Sequence, residues 1–376
     1  MAVEGAAHQD GAFANPVIEY RRENLGSTLQ RDIFFTLYVP LDLAGRRLGL
    51  RAAGRSAIAR ATADSIVLAR AVEAGAARAF WRASLARGLL QLTAEQRDAF
   101  EAIAQYTETR LKEGAIAEQA AIRTRLEGDR ARVAEGAAQA EWQRAQADLA
   151  RAVGVSVAEL PLVAPLDVLP AEARMAIRLA AGPSDALDRR IAEAVARRPE
   201  TAALRAASRQ ASQRLGAERR SIFPEPTLQI GTKQTTGIGT RVIGLSMPIP
   251  ILTQNGGARE RARGEQLTAE AELRDAENTI AADVLGSYHA LLALTASTTD
   301  STRSHRPLEQ SAADVAQIAE AAYREGGATL LELLEARRAA AEARALTLRW
   351  TADIHLALLD FTRAIGAPLL TDPETL

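Results

Sequence analysis

The chain has 376 residues, with 46 basic against 47 acidic side chains, 4% aromatics and no cysteine. The balanced charge leaves no electrostatic footprint for nucleic acid, and the absent thiols exclude disulfides, thiolate zinc sites, a thiol nucleophile and a lipid-bearing N-terminal cysteine. No run of about 18 apolar residues encodes a transmembrane helix, and Met1-Ala2-Val3-Glu4-Gly5 lacks the basic and apolar regions of a signal peptide.

In chain order, a strand pair is predicted over Val17–Leu25 and Thr28–Val39, with a turn at Asn24-Leu25-Gly26-Ser27. Leu29, Ile33, Phe35, Leu37 and Val39 alternate with Gln30, Asp32, Thr36 and Tyr38, so one face is apolar and the other mostly polar. After Pro40 the pattern becomes helical from about Arg46 to Gly114, with a candidate restart at Thr93-Ala94-Glu95-Gln96, which has capping-box spacing. The chain turns at Gly114 and returns to Gly154. Residues 155–183 form a connector, rich in proline and small residues from Pro161 to Pro183. A helix pair broken at Pro199 follows over 185–221. A second strand pair is predicted at Thr227–Gln234 and Thr240–Ile249, reversing around Thr236-Gly237-Ile238-Gly239. A second helical hairpin runs out from Gly257 to Gly326 and back to Gly366, and 367–376 is a tail. Its returning helix carries a stripe at Leu346, Trp350, Ile354, Leu358, Phe361 and Ile365, the spacing of a helix-packing seam. Some seventy helical residues reach on the order of 100 Å, too long to bury in one globule.

The two halves share one plan. Pro40 and Pro248 each close a strand-like run, offset by 208, and an aromatic stands forty residues beyond each, Phe80 and Tyr288. Lys112-Glu113-Gly114 matches Arg324-Glu325-Gly326, and Ala152-Val153-Gly154 matches Ala364-Ile365-Gly366, both offset by 212. A nearly constant offset over such a span indicates duplication. The expected domains are a first repeat over 1–154 (strands 17–39, hairpin 46–154), the connector, and a second repeat over 184–366 (helix pair, strands 226–250, hairpin 257–366).

Strands of about 9–11 residues with one apolar face can cross a bilayer when tilted. Only helices and closed barrels satisfy the backbone in hydrocarbon, and four strands cannot close where the smallest barrels have about eight. Each chain must then supply a fraction of a barrel that self-association completes; three copies give twelve strands.

The strand-to-helix passages Val39-Pro40-Leu41-Asp42-Leu43-Ala44-Gly45-Arg46-Arg47 and Met247-Pro248-Ile249-Pro250-Ile251-Leu252-Thr253-Gln254-Asn255-Gly256-Gly257, with the turns Glu113–Glu118 and Glu325–Glu332 and the repeat end Val153-Gly154-Val155, resemble the TolC family of bacterial outer-membrane efflux ducts. The resemblance runs from about Pro16 to Pro368, and the first passage is most similar to the cobalt–zinc–cadmium resistance branch. It implies a mainly α fold with a small β part: a homotrimer with a twelve-stranded barrel in outer-membrane lipid and a long periplasmic helical barrel. It also implies a passive duct for a substrate, heavy-metal cations in that branch, delivered by an inner-membrane pump of the RND type through a periplasmic adaptor. The tips Gly114, Ala115, Ile116, Gly326, Gly327, Thr329 and Leu330 would dock the adaptor. Carboxylates at Glu113, Glu118, Glu325 and Glu332 would repeat around the three-fold axis and take part in the aperture. Pro40, Gly45, Pro248, Pro250 and Gly256 mark the strand-to-helix passages. In the family a helix pair precedes each strand pair; the first copy has only about fifteen residues before Pro16, and a truncated reading frame would explain both that and the missing export signal.

Other readings are weaker. His8, His289, His305 and His355 have no metal-ligand spacing. Asp300-Ser301 with Ser304-His305 has triad residue types without a nucleophile elbow, and Gly237-Ile238-Gly239 and Gly256-Gly257 lack phosphate-loop spacing. No catalytic, cofactor or metal residue is assigned. Arg46 and Arg47 are either solvated or set against anionic headgroups; Trp81, Trp142 and Trp350 are expected to fill the helical wall. The alternatives to a duct are a periplasmic adaptor, a soluble coiled-coil scaffold, a truncated non-exported duct homologue or, least supported, an enzyme. Solubility without detergent would favour the scaffold.

Overall fold

The computed structural model describes residues 1–23, 32–161, 163, 166, 184–251, 254–299 and 305–367. The elements in chain order are α1 (Ala2–Asp10), β1 (Val17–Glu23), β2 (Asp32–Pro40), α2 (Arg46–Lys112), α3 (Glu118–Val153), a 3-10 turn (Val157–Glu159), α4 (Ser184–Arg197), α5 (Pro199–Arg220), β3 (Thr227–Thr235), β4 (Ile238–Ser246), α6 (Gly256–Thr299), α7 (His305–Glu325) and α8 (Leu330–Ala364). Two compact units result, residues 1–68 with 195–279 and residues 69–194 with 280–376, so each unit draws on both halves of the sequence.

The first unit holds one four-stranded antiparallel sheet in the order β1-β2-β3-β4. β2 pairs with β3, so strands from the two halves of the sequence meet at the centre, with Leu37 opposite Ile230 and Thr36 opposite Gly231. The register puts Ile18, Leu37, Ile230 and Ile243 in one cross-strand row and Val39, Leu228 and Leu245 in the next. Side chains alternate between faces, so these rows share the apolar face that the alternation predicts. Ile18, Tyr20, Phe35, Ile230, Ile243 and Leu245 are all exposed on it.

The opposite face is polar and cross-linked. Tyr38 donates a 2.5 Å hydrogen bond to Glu19, and Lys233 lies 3.2 Å from the Asp32 carboxylate. Phe34 shares this face, which the alternation alone leaves unexplained. Its ring is held between two cations, with the Arg21 guanidinium 4.6 Å and the Lys233 ammonium 5.0 Å from the centroid, an arrangement that suits an aromatic among charges.

Within this unit α2, α5 and α6 pack on one another. The close approach of α2 to α5 is set by small residues: a Cβ on Gly49 would lie 3.1 Å from that of Ala217. Arg205 pairs with Glu277 at 3.2 Å, and Ser56 donates to Gln213 at 2.9 Å.

In the second unit the core is built from alanine, so the helices approach closely. Ala83, Ala86, Ala145, Leu149 and Val163 cluster with Trp142 packed against them. Leu291 and Phe361 form another cluster with Tyr288, Leu358 and Ile365. Ile354 is fully buried and the Trp350 indole donates to the Leu294 carbonyl at 3.1 Å, so the predicted stripe is a packing seam over most of its length; Leu346 is exposed. Trp81 stacks on His355 with 3.6 Å between centroids.

Several expectations need correction. α2 does not restart at Thr93: the hydroxyl accepts no cap there and instead donates back to the Leu89 and Leu90 carbonyls, a bond compatible with an unbroken helix. Over the outgoing arm of the second hairpin the described residues hold α6, Gly256–Thr299, and α7, His305–Glu325. β4 starts and ends earlier than expected, because Thr236 (φ 52°) and Gly237 (φ 86°) form the whole reversal, the positive-φ pair of a tight hairpin; Met247–Ile249 therefore lie beyond the strand. A short helix, α1, does precede the first strand pair, with Ala7 lying where a Cβ on Gly54 would come within 2.8 Å. The turn Asn24–Ser27, most of the connector, Leu252, Thr253, Asp300–Ser304, the side chain of His305 and Pro368 onward lie outside the described residues.

Candidate functional site: helical tips, strand-to-helix passages and the sheet

Both helical tips end in the same backbone motif. Gly114 takes φ 71° and Gly326 φ 81°. The Ala115 amide reaches the Arg110 carbonyl at 2.8 Å, and the Gly327 amide reaches that of Ala322 at 2.7 Å. This is the six-to-one bond of a Schellman cap, which needs a left-handed residue after the helix. The returning helices end alike, with Val155 to Ala150 at 3.0 Å and Ala367 to Thr362 at 3.1 Å, beside Gly154 and Gly366. All four caps fall in pairs offset by 212.

The passages match as well. The Leu43 amide bonds to the Leu41 carbonyl at 3.1 Å and that of Ile251 to Ile249 at 2.9 Å, equivalent tight turns 208 residues apart. Pro40 is the last residue of β2; Pro248 and Pro250 follow β4, and Gly256 opens α6. Gly45 has φ 69°, and Asp42 caps α2 by accepting from the amides of Arg46 and Arg47 at 3.0 and 2.9 Å. Glu218, at the end of α5, joins the two passages: it pairs with Arg46 at 3.4 Å and accepts from Asn255 at 2.9 Å.

At the second tip Thr329 and Glu332 form a reciprocal capping box. Glu332 accepts from the Thr329 amide at 2.7 Å and its hydroxyl at 3.0 Å, and the amide first, then the hydroxyl, hold its carboxyl below the usual glutamate range. Ile116 and Glu118 follow the first tip, where Ala117 caps α3 without a side-chain bond. Leu330 opens α8, and Glu113 and Glu325 stand at the ends of the outgoing helices. Thr329→Ala is expected to speed amide exchange at Leu331–Leu333, measured by hydrogen–deuterium exchange. Because the folded Glu332 pKa is depressed, the wild-type cap is complete above the ordinary glutamate pKa and weakens as pH falls through its lowered value.

Three contacts behind the tips were not legible from spacing. Tyr106 and Tyr323 meet edge to face at 6.0 Å, and the buried hydroxyls of Thr107 and Thr124 bond at 2.7 Å. Glu127, with its side chain only 7% exposed, binds Arg338 at 2.6 Å and Arg130 at 2.8 Å. Glu127 and Arg338 lie 211 residues apart, and no local pattern announces such a partner. Among the described residues no group of His, Cys, Asp or Glu converges to hold a metal, and no described helix is long and apolar enough to cross a membrane.

The fold defined by these elements is that of solved outer-membrane channels. The outer membrane protein VceC from Vibrio cholerae aligns with a TM-score of 0.77 at 16% identity, covering 97% of this chain and 90% of that one. The Campylobacter jejuni CmeC outer membrane channel aligns at 0.73 and 14% identity, over 100% of this chain and 82% of that one. The Neisseria gonorrhoeae MtrE outer membrane channel, in its open state, aligns at 0.71 and 18% identity, over 97% and 84%. Residues 191–367, a little under half of the chain, match the family of outer membrane efflux proteins. No curated protein matches by sequence.

Proposed function

We propose that three copies of this chain form the outer-membrane duct of a tripartite efflux system. The observation that carries this reading is the open four-stranded sheet, with an exposed apolar face and, among the described residues, strands β1 and β4 each paired on one side only. In hydrocarbon such edges must be paired, and a ring of copies pairs them head to tail. The apolar face then meets lipid and the cross-linked polar face lines the channel. The fold and the family match to residues 191–367 support the same reading. Both sequence repeats build each protomer, and the helical hairpins extend into the periplasm.

The two Schellman tips are rigid, small-residue surfaces suited to receiving the periplasmic adaptor, with Gly114, Ala115, Ile116, Gly326, Gly327, Thr329 and Leu330 in contact and an RND-type inner-membrane pump supplying the energy. Glu113, Glu118 and Glu325 would repeat at the aperture; Glu332 would do so while also serving its cap. Heavy-metal cations as the cargo rest on the first passage alone. The test is mass and conductance. Protein in detergent is expected to run as a trimer and to open pores in planar bilayers, whereas a stable monomer needing no detergent would overturn the reading.

A further inference from the structure

The charges of the sheet sort by face. On the polar face Glu19, Arg21, Glu23, Asp32 and Lys233 carry both signs and are partnered: Arg21 lies 3.1 Å from Glu23, Lys233 lies 3.2 Å from Asp32, and Glu19 accepts from Tyr38. On the apolar face the charged residues of the four strands are Arg22 and Arg241, both cations. Both are exposed, and among the described residues neither has a carboxylate partner. Residues 24–31, between β1 and β2 in sequence, contain no acid that could supply one.

Their place on the strands is as particular as their sign. In cross-strand register the apolar face passes from the aliphatic row of Ile18, Leu37, Ile230 and Ile243 to a row holding Arg241 beside Phe35 and Tyr20, and then to one holding Arg22 and Gln234. The helices leave the sheet at its other end. Arginine is costly at mid-depth on a lipid-facing surface and nearly free only beside headgroups, and aromatic rings suit the same depth.

The two arginines also stand on the two edge strands. A ring of copies sets β4 of one beside β1 of the next, about 4.8 Å away. Arg241 of one copy and Arg22 of the next then share a seam, a face and an end of the sheet. Two guanidinium groups so placed repel one another, and a phosphate between them removes the repulsion while accepting hydrogen bonds from both planar forks.

We infer that each seam between copies carries a phosphate site for an anionic lipid of the leaflet remote from the helices. Arg241 of one copy and Arg22 of the next hold the phosphate, and the acyl chains lie along the aliphatic rows. This rests on the membrane and ring reading above. A solitary copy holds only half of each site, so lipid binding and assembly favour one another.

The test titrates three probes against the full-length protein in detergent, read by native mass spectrometry: lipid A with its phosphates, lipid A stripped of them, and inorganic phosphate. The wild-type trimer is expected to take one phosphorylated lipid per seam. The double variant Arg22→Gln, Arg241→Gln is expected to bind it about 25-fold more weakly, at roughly fivefold for each arginine near a lipid surface. Arg22→Lys with Arg241→Lys keeps the charge and should stay near wild type, and Arg21→Gln, one residue away on the polar face, should change nothing. Equal affinity in wild type and the double glutamine variant overturns the inference. So does binding that survives removal of the lipid phosphates, or displacement by millimolar inorganic phosphate, the mark of a free-anion site. A chain that stays monomeric in detergent overturns the duct reading instead.

Discussion

Gly231→Val is expected to separate β2 from β3 and to lower stability by about 3 kcal/mol, the upper range for an overpacked site. A Cβ at position 231 would lie 2.5 Å from the Phe35 carbonyl oxygen and 3.0 Å from the Thr36 Cα. Those atoms belong to the partner backbone, so no rotamer change relieves the clash. The strand must move, and the ladder joining the two halves of the chain moves with it. Gly244→Val on β4 is the control. Its Cβ would meet the Gln229 Oε1 at 3.0 Å, the far end of a side chain that can swing away. Hydrogen exchange along Phe34–Val39 should rise sharply for the first variant and little for the second. Equal exchange in the two would refute the argument.

Glu127→Ala is the second large effect. Its carboxylate is nearly buried between α3 and α8, and its removal leaves Arg338 without its main partner. Breaking a sealed ion pair costs roughly 3–5 kcal/mol. Here Arg338 and Arg130 remain 42% and 64% exposed, so water takes up part of their charge, and about 2 kcal/mol is expected. The dependence on pH has a fixed sign. Burial alone would raise the Glu127 pKa, but hydrogen bonds and charge from Arg338, then Arg130, outweigh it and hold the carboxyl below its usual range. The stabilisation is therefore complete above the ordinary glutamate pKa and disappears as pH falls through the depressed one. Thermal melts of wild type and Glu127→Ala should converge in acid. A gap that stays constant with pH would count against this assignment.

What was legible in the sequence follows from how local each signal is. Alternation at Ile33–Val39 and Leu228–Ile230 identified strands and their apolar face, because strand periodicity needs no partner. Gly114 and Gly326 marked the tips, because a left-handed cap demands glycine. β4 starts two residues and ends three residues before the expected bounds: Gly237 and Gly239 both offered a turn, and only the rare positive φ of Thr236 decides between them. α1 escaped notice because no side chain caps it. The candidate tips and passages could be named from sequence, but not the groups that hold them. Glu218 reaching Arg46 and Asn255, and Glu127 reaching Arg338, are contacts across 172, 37 and 211 residues of chain.

Among the described residues β1 and β4 each keep one unpaired flank, and on the proposed assembly this makes concentration a variable of folding. A solitary protomer carries two rows of backbone donors and acceptors open to any extended peptide, the usual route to amyloid-like stacking. Its stability then cannot be quoted apart from protomer supply. On the proposed duct reading, dilution would act as a denaturant, and overproduction without a membrane to receive the chains would favour fibres over pores.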